Sequence, residues 1–328
     1  MPLQITILGL DALGASLGLA LGTLKPDELN VGRPVITGWD ADRRAISEAR
    51  GKLAIDHAQN DLVAAVRDAD VVFVVVPYTA LRDVLEMIGP ALKYGAIVTD
   101  TAAAKARVLE WATELLPATV EFVGGHPLGG VSGDARDAAH NAFRNLIYCL
   151  TPLPRTGRAA LDGVEALVRA IGAKPYYIEA VEHDAYVAAV GHLPLALSVA
   201  LMETLSQSGG WRELQPIAGE ALLRMTELAG GSPEAGAEAI SSNVSALIGW
   251  IDRINSTLID MRTTLADPVA AQALFERVAD ARATWLRSEP NLRPGEDAFL
   301  GNAADVQNTG IGGLFFGRRP SRDRSKRR

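Results

Sequence analysis

A single cysteine, Cys149, stands in a chain of 328 residues. An intrachain disulfide is therefore excluded, as is a cysteine cluster for zinc or an iron–sulfur centre, and a reducing compartment is expected. Positive charge is scarce too. The formal net charge is −7, whereas a general nucleic-acid binder needs a positive field, so no nucleic-acid partner is expected. Purely apolar runs such as Val71 to Pro77 fall far short of the roughly 20 residues that span a bilayer, and no membrane role is expected. Met1 leads straight into the strand-like Leu3–Leu8 with no basic n-region and no small-residue cleavage site. A secretory signal is not expected, and a cytoplasmic location is.

What is present is enough to build sizeable cores. A hydrophobic fraction of 48% with 22% charged residues belongs to a folded globular chain, and the length suits two domains. Apolar runs of strand length recur at 3–8, 35–39, 71–76, 96–99, 120–123, 146–150 and 175–178. Helix-period segments lie between them, at 12–24, 43–50, 80–92 and 104–116. This alternation is the βαβ pattern, and runs without polar alternation suit strands covered on both faces, so a doubly wound parallel sheet is expected over 1–178. Beyond Ile178 the pattern turns helical, over 180–207, 212–229, 236–265 and 268–287, with breaks at glycine, serine and proline. An all-helical domain over 179–290 is expected. Its helices are apolar on more than one face, which favours a homodimer. Residues 291–328, rich in polar residues and basic at the end, are expected to be a disordered tail.

The first strand runs into Gly9-Leu10-Asp11-Ala12-Leu13-Gly14, where a dinucleotide fold places G-x-G-x-x-G. Gly9 permits the tight turn, Gly14 the close helix–strand contact, and the helix amides would hold a pyrophosphate. The middle glycine is replaced by Asp11, which brings bulk and a negative charge toward an anion. Asp40, ending Thr37-Gly38-Trp39-Asp40, can accept the ribose hydroxyls of NAD and repel the 2′-phosphate of NADP. Arg43 and Arg44 leave NADP open. Residues 25–32 lengthen the spacing between loop and acid. Pro77, closing the third strand run, is counted with Gly9, Asp11, Gly14 and Asp40 as a cofactor-binding position. The expected class is thus an α/β Rossmann-type dinucleotide-binding domain followed by an all-α dimerisation and substrate domain.

The fifth strand run ends in Gly124-Gly125-His126-Pro127-Leu128-Gly129-Gly130, a histidine at the carboxyl edge of the sheet where open α/β folds bind ligand. An imidazole there suits a base that accepts a hydroxyl proton while hydride leaves the same carbon. This segment resembles the G-G-H-P-M-x-G of prephenate and arogenate dehydrogenases. Val98-Thr99-Asp100 through Lys105 is similar to their V-T-D-x-x-S-x-K. His183-Asp184 and His192-Leu193-Pro194 are similar to their H-D and S-H-L-P, and Asn243 and Leu274 to Arg282 also fit. The resemblance covers about 3–287. It implies oxidation of a cyclohexadienol with NAD(P) and release of carbon dioxide, with His126 as base, His192 orienting substrate, Lys105 steadying the nicotinamide loop and Gly129 in the substrate site. His183 beside Asp184 is also consistent with a purely structural arrangement near a helix start.

Three departures from the family pattern stand out. Its loop serine aligns with Ala103, for which Thr99 or Thr101 are the available substitutes. Its T-R-I-A motif, whose arginine binds a substrate carboxylate, reads Thr226-Glu227-Leu228-Ala229, and Gly236 replaces an expected tryptophan. Arg224 lies three residues before Glu227, so on a helix both project to one side. Its guanidinium either takes the vacated place as a substrate-binding group or forms a surface pair with Glu227. Arogenate, with a cationic side-chain amine, would tolerate Glu227 better than prephenate. Three functions are compatible with these residues: an active dehydrogenase on prephenate or arogenate, a paralogue that keeps fold and dimer without turnover, and a reductase of the same architecture on another substrate.

Overall fold

The computed structural model describes residues 2–24, 33–131 and 133–288. The spacer at 25–32 and the expected tail at 291–328 lie outside the described residues. By its contacts the chain divides into two compact units, the division falling between Ala180 and Val181.

Each apolar run named above forms a strand of the first unit: β1 (Gln4–Leu8), β2 (Val35–Trp39), β4 (Val71–Val74), β5 (Ile97–Asp100), β6 (Glu121–Pro127), β7 (Ile147–Pro152) and β8 (Lys174–Tyr177). The two-residue β3 (His57–Ala58) is too short to leave a periodic signal. One eight-stranded sheet results, in the order β3-β2-β1-β4-β5-β6-β7-β8. Order reverses between β1 and β4, which makes the carboxyl ends of these two strands a topological switch point.

The helices α1 (Ala12–Gly22), α2 (Arg43–Gly51), α3 (Leu62–Val66), α4 (Tyr78–Ile88), α5 (Ala106–Leu115) and α6 (Arg158–Ala170) cover both faces. Along β4 the side chains alternate between two cores. Val71 and Phe73 join Leu17, Leu21, Ile46 and Val164 on one face, while Val72 and Val74 join Leu81, Leu85, Val98 and Val108 on the other. Burial on both sides is why β4 carries no polar residue, and each such side chain stabilises the fold by about 1.5–3 kcal/mol relative to exposure.

The expected parallel sheet is corrected at one strand. β7 runs antiparallel to β6, with His126 paired to Cys149. Among its described residues, the intervening chain has a short 3₁₀ turn at Ala135–Asp137 as its one helical element. A parallel return requires a crossover across the sheet face, and without one the strand folds straight back.

The second unit begins with α7 (Ala180–Val187), passes through a π-helical turn at Ala188–His192, and continues as α8 (Leu193–Ser206). The expected helix over 212–229 is instead α9 (Trp211–Leu214), a 3₁₀ turn, α10 (Glu220–Thr226) and a second 3₁₀ turn at Glu227–Gly230. Pro216 within the first turn has no amide to donate to a continuing helix. The run over 236–265 likewise divides into α11 (Pro233–Ser241) and α12 (Val244–Thr264), followed by α13 (Pro268–Arg287). Asp267 caps α13 by accepting the Val269 amide at 3.0 Å, ahead of Pro268 at its first turn.

This unit has little interior of its own. Leu247 is the one buried residue of α12, and Ile248, Leu258, Ile259, Phe275 and Trp285 are exposed. Among the described residues, Ala180–Ser206 is the one helical run long and apolar enough to cross a membrane by length and composition. Purely apolar stretches do not reveal it because Glu182, His183, Asp184 and His192 interrupt them.

Candidate active site

The glycine loop lies at the switch point. Gly9 has φ +97°, and a β-carbon there would sit 2.0 Å from the Val75 carbonyl oxygen. A β-carbon at Gly14 would sit 2.0 Å from the Gly9 carbonyl oxygen. Both glycines are therefore required by close backbone approach, as their spacing predicts. Asp40 follows β2, and its two carboxylate oxygens accept the Leu10 and Asp42 amides, each at 2.7 Å. Pro77 is the residue that precedes α4, two positions past the Val75 carbonyl that crowds Gly9. Gly9, Asp11, Gly14, Asp40 and Pro77 thus gather at the carboxyl ends of β1, β2 and β4.

Asp11 does not turn away from the loop. It is the N-cap of α1, its Oδ1 accepting the Gly14 amide at 2.9 Å. The neighbouring Ala12 amide donates to the Gly133 carbonyl at 3.2 Å, from the connection between β6 and β7. Asp11 keeps an exposed side, yet the protein around its carboxyl raises the pKa. Bonds from the Gly14 and Leu13 amides oppose that rise, and the like charge of Asp40 adds to it.

At β5 and β6 a buried ion pair sets the backbone that carries His126. Asp100 and Lys105 have no solvent exposure, and Lys105 Nζ pairs with Asp100 Oδ2. Lys105 also donates to the Gly125 carbonyl at 2.8 Å, while Asp100 Oδ1 accepts the Gly125 amide at 3.1 Å. The peptide groups on either side of Gly125, the second of which leads into His126, are therefore both held. A β-carbon at Gly125 would lie 2.6 Å from the Asp100 carbonyl oxygen, and one at Gly124 would lie 2.2 Å from Thr151 Oγ1. The glycine pair lets β6 press against its neighbours.

Two expectations change here. His126 lies within β6, the sixth strand, which continues to Pro127, because β7 pairs with it past the histidine. The imidazole remains half-buried at the carboxyl edge. Lys105, expected among the catalytic groups, is sealed inside and acts on the strand, so it is a positioning residue. Thr99 is equally sealed, with its hydroxyl unpartnered, and cannot replace the serine missing at Ala103. Thr101, half-buried just past β5, remains available. Gly129, at φ +113°, turns the chain out of β6. Cys149, opposite His126, is buried and its thiol is pushed up to about 12, chiefly by desolvation, which leaves it unreactive.

In the helical unit, His183 is fully buried with Nδ1 2.8 Å from Asp184 Oδ1. Asn243 Nδ2 donates to the Asp184 carbonyl at 2.6 Å, and Ser198 Oγ, which residue patterning did not single out, accepts the Ala229 amide at 3.0 Å. His192 closes the π-helical turn. Pro194 has no amide for the carbonyl four residues back, and the Leu193 amide reaches the carbonyl of Ala188, five residues back. His192 is buried with Nδ1 unpartnered. Desolvation lowers its pKa; Asp184 opposes the shift and His183 reinforces it. Arg224 does not pair with Glu227. It bonds Glu220 Oε1 at 2.7 Å, one turn earlier, and both are exposed, because α10 ends at Thr226 and Glu227 opens the next turn. Among the described residues no cluster of three or more histidine, cysteine or carboxylate side chains is arranged to hold a metal.

The lowered pKa of His192 has a sign that can be measured. The unfolded chain takes up its proton at about pH 6.5, before the folded chain does, so stability falls as pH drops below that value. We expect the urea midpoint to fall more between about pH 7.5 and 5.5 in the wild type than in His192→Gln. Parallel curves for the two proteins would show that His192 is not held neutral by the fold.

An open sheet with this strand order, a glycine turn at its switch point and a histidine on its carboxyl edge define, with the helical unit, a Rossmann-fold oxidoreductase. Residues 30–177 match the family model described as prephenate dehydrogenase, nucleotide-binding domain, and residues 179–279 match its dimerization domain. The chain belongs to the prephenate dehydrogenase family. It is 28% identical over 254 residues to the prephenate dehydrogenase of Lactococcus lactis subsp. cremoris, covering 73% of this chain and 68% of that one. A solved arogenate dehydrogenase of Synechocystis superposes with a TM-score of 0.72 at 26% identity, covering 86% of this chain and 100% of that one. A prephenate dehydrogenase of A. aeolicus, solved with hydroxyphenyl propionate and NAD+, has the same fold, with a TM-score of 0.77 at 23% identity over 87% of this chain and 98% of that one.

Proposed function

We propose that this chain catalyses the NAD-dependent oxidative decarboxylation of prephenate or arogenate, giving 4-hydroxyphenylpyruvate or tyrosine, in tyrosine biosynthesis. The observation that carries this reading is His126, whose preceding residue, Gly125, is clamped by Asp100 at its amide and Lys105 at its carbonyl at the sheet edge of a chain in this family. The close approaches at Gly9 and Gly14 and the acid at Asp40 fit a dinucleotide, and Asp40 favours NAD over NADP. Arg44 is engaged by Asp42 at 3.1 Å, which leaves Arg43 as the other arginine following that acid. Bound NAD supplies the acceptor for the hydride on the substrate's ring C4.

His126, as neutral imidazole, takes the proton of the C4 hydroxyl as that carbon is oxidised. Loss of the ring carboxylate as carbon dioxide then makes the ring aromatic, which drives the reaction forward. His192, with its unpartnered buried Nδ1, is assigned a hydrogen bond to substrate, and Gly129 a place in the substrate-binding turn. Arg224 is a weaker candidate for a carboxylate clamp because Glu220 already holds it. Glu227 replaces the family's arginine, and a carboxylate repels the anionic side chain of prephenate while attracting the ammonium of arogenate.

Initial rates of NADH formation with the two substrates test the assignment. The expected kcat/KM is higher for arogenate by about tenfold or more, and Glu227→Gln narrows the ratio. Equal values in the wild type would remove Glu227 from the site. Absence of NADH formation with either substrate would favour a paralogue without turnover, a reading supported by the carboxylate of Asp11 on the helix amides.

A homodimer through the helical unit belongs to the same proposal. The match to a dimerization domain and the exposed apolar residues of α12 and α13 support it. So does the apolar run Ala180–Ser206, for which we propose a protein partner surface in place of lipid. Sedimentation at the mass of one chain would count against it. A cytoplasmic location is supported by the lone, buried thiol of Cys149.

A further inference from the structure

We propose that Asp11 is an internal anion of the dinucleotide loop, a gate that occupies the amide place of the pyrophosphate and must rotate out before the cofactor seats. This rests on the reading of the first unit as NAD-binding, and it names the residue that limits that binding.

Three of the loop's amides are already engaged from within. The Gly14 amide is held by Asp11 Oδ1 at 2.9 Å, the Ala12 amide by the Gly133 carbonyl at 3.2 Å, and the Leu10 amide by Asp40 Oδ2 at 2.7 Å. A pyrophosphate draws its binding free energy from the helix-start amides and the positive end of the helix dipole. A carboxylate at the N-cap uses the same amides and the same dipole end, so the two anions compete for one place. A glycine at this position would leave the amides to the ligand.

Asp11 is exposed on one side, and opening requires a rotation about its first side-chain torsion that breaks its bond to the Gly14 amide. The negative charge then still stands close to the pyrophosphate and to Asp40, so charge as well as occupancy weakens binding. Two substitutions separate these contributions. Asparagine keeps an oxygen that accepts the Gly14 amide and loses the charge, while glycine removes both; both are accepted N-cap residues, so the helix start is retained.

Calorimetric titration of the full chain with NAD measures the dissociation constant directly, with no turnover required. The expected order of affinity is wild type weakest, Asp11→Asn tighter, and Asp11→Gly tightest, by about tenfold or more over wild type. Asp11→Gly binding NAD no more tightly than a wild type that does bind would overturn the gate while leaving the cofactor assignment in place. NAD binding to none of the three would overturn the cofactor assignment itself, and the gate with it. Should Asp11→Gly fold poorly, Asp11→Ala, which likewise removes both the oxygen and the charge, takes its place: affinity no tighter than that of a wild type that binds overturns the gate.

Discussion

Replacing His126 by asparagine lowers kcat by about 10²–10⁴-fold, the usual contribution of a positioned general base, and leaves NAD affinity unchanged. Asparagine preserves a hydrogen-bonding side chain of similar length but cannot take a proton. Its backbone is fixed independently of the side chain, through pairing with Cys149 across β6 and β7 and through the clamp on Gly125. The loss should therefore appear in chemistry and not in folding. Steady-state rates alongside thermal unfolding make the distinction: kcat falls in the variant while Tm stays close to wild type. A kcat within a few-fold of wild type would remove His126 from the proton transfer.

Lys105→Met should destabilise the first unit by about 3–5 kcal/mol, since it leaves Asp100 as an uncompensated buried charge. Neither partner has any solvent exposure, so water cannot replace the lost ammonium. Asp100 would retain the amides of Gly125 and Ala102, at 3.1 and 3.0 Å, which offset part of the cost. Adding Asp100→Asn removes the orphaned charge, and the double variant should regain much of the loss. Urea unfolding of the four proteins in this cycle measures the coupling. A single-variant loss below about 1 kcal/mol would mean that the pair is dispensable. The same variants should lower kcat even where they fold, because the peptide before His126 loses the Lys105 bond to the Gly125 carbonyl.

Both expectations depend on a contact that residue patterning could not supply. The Asp100 and Lys105 types were visible five positions apart, but their burial against Gly125 was not, because Gly125 is distant in sequence and belongs to another strand. The same holds at the loop. The defect at Asp11 was plain from the missing glycine, whereas its engagement of the Gly14 amide depends on a rotamer. Arg224 had two neighbours of suitable charge, Glu220 and Glu227, and the end of α10 at Thr226 selected the first.

The amino-acid sequence alone determined the βαβ alternation, the turn to helices after Ile178, the glycines at 9 and 14 and the histidine at the sheet edge. Each of these is a local property, set by side-chain periods of 2 or 3.6 residues or by a backbone that tolerates no β-carbon. Tertiary structure alone decided the reversal of β7, the π-helical turn that ends in a buried His192, the sealing of Lys105 and the capping role of Asp11. These are choices among hydrogen-bond partners, and a polar group leaving water takes whichever partner the packed chain brings within reach. That reach spans more than a hundred residues between Ala12 and Gly133, and no local pattern encodes it.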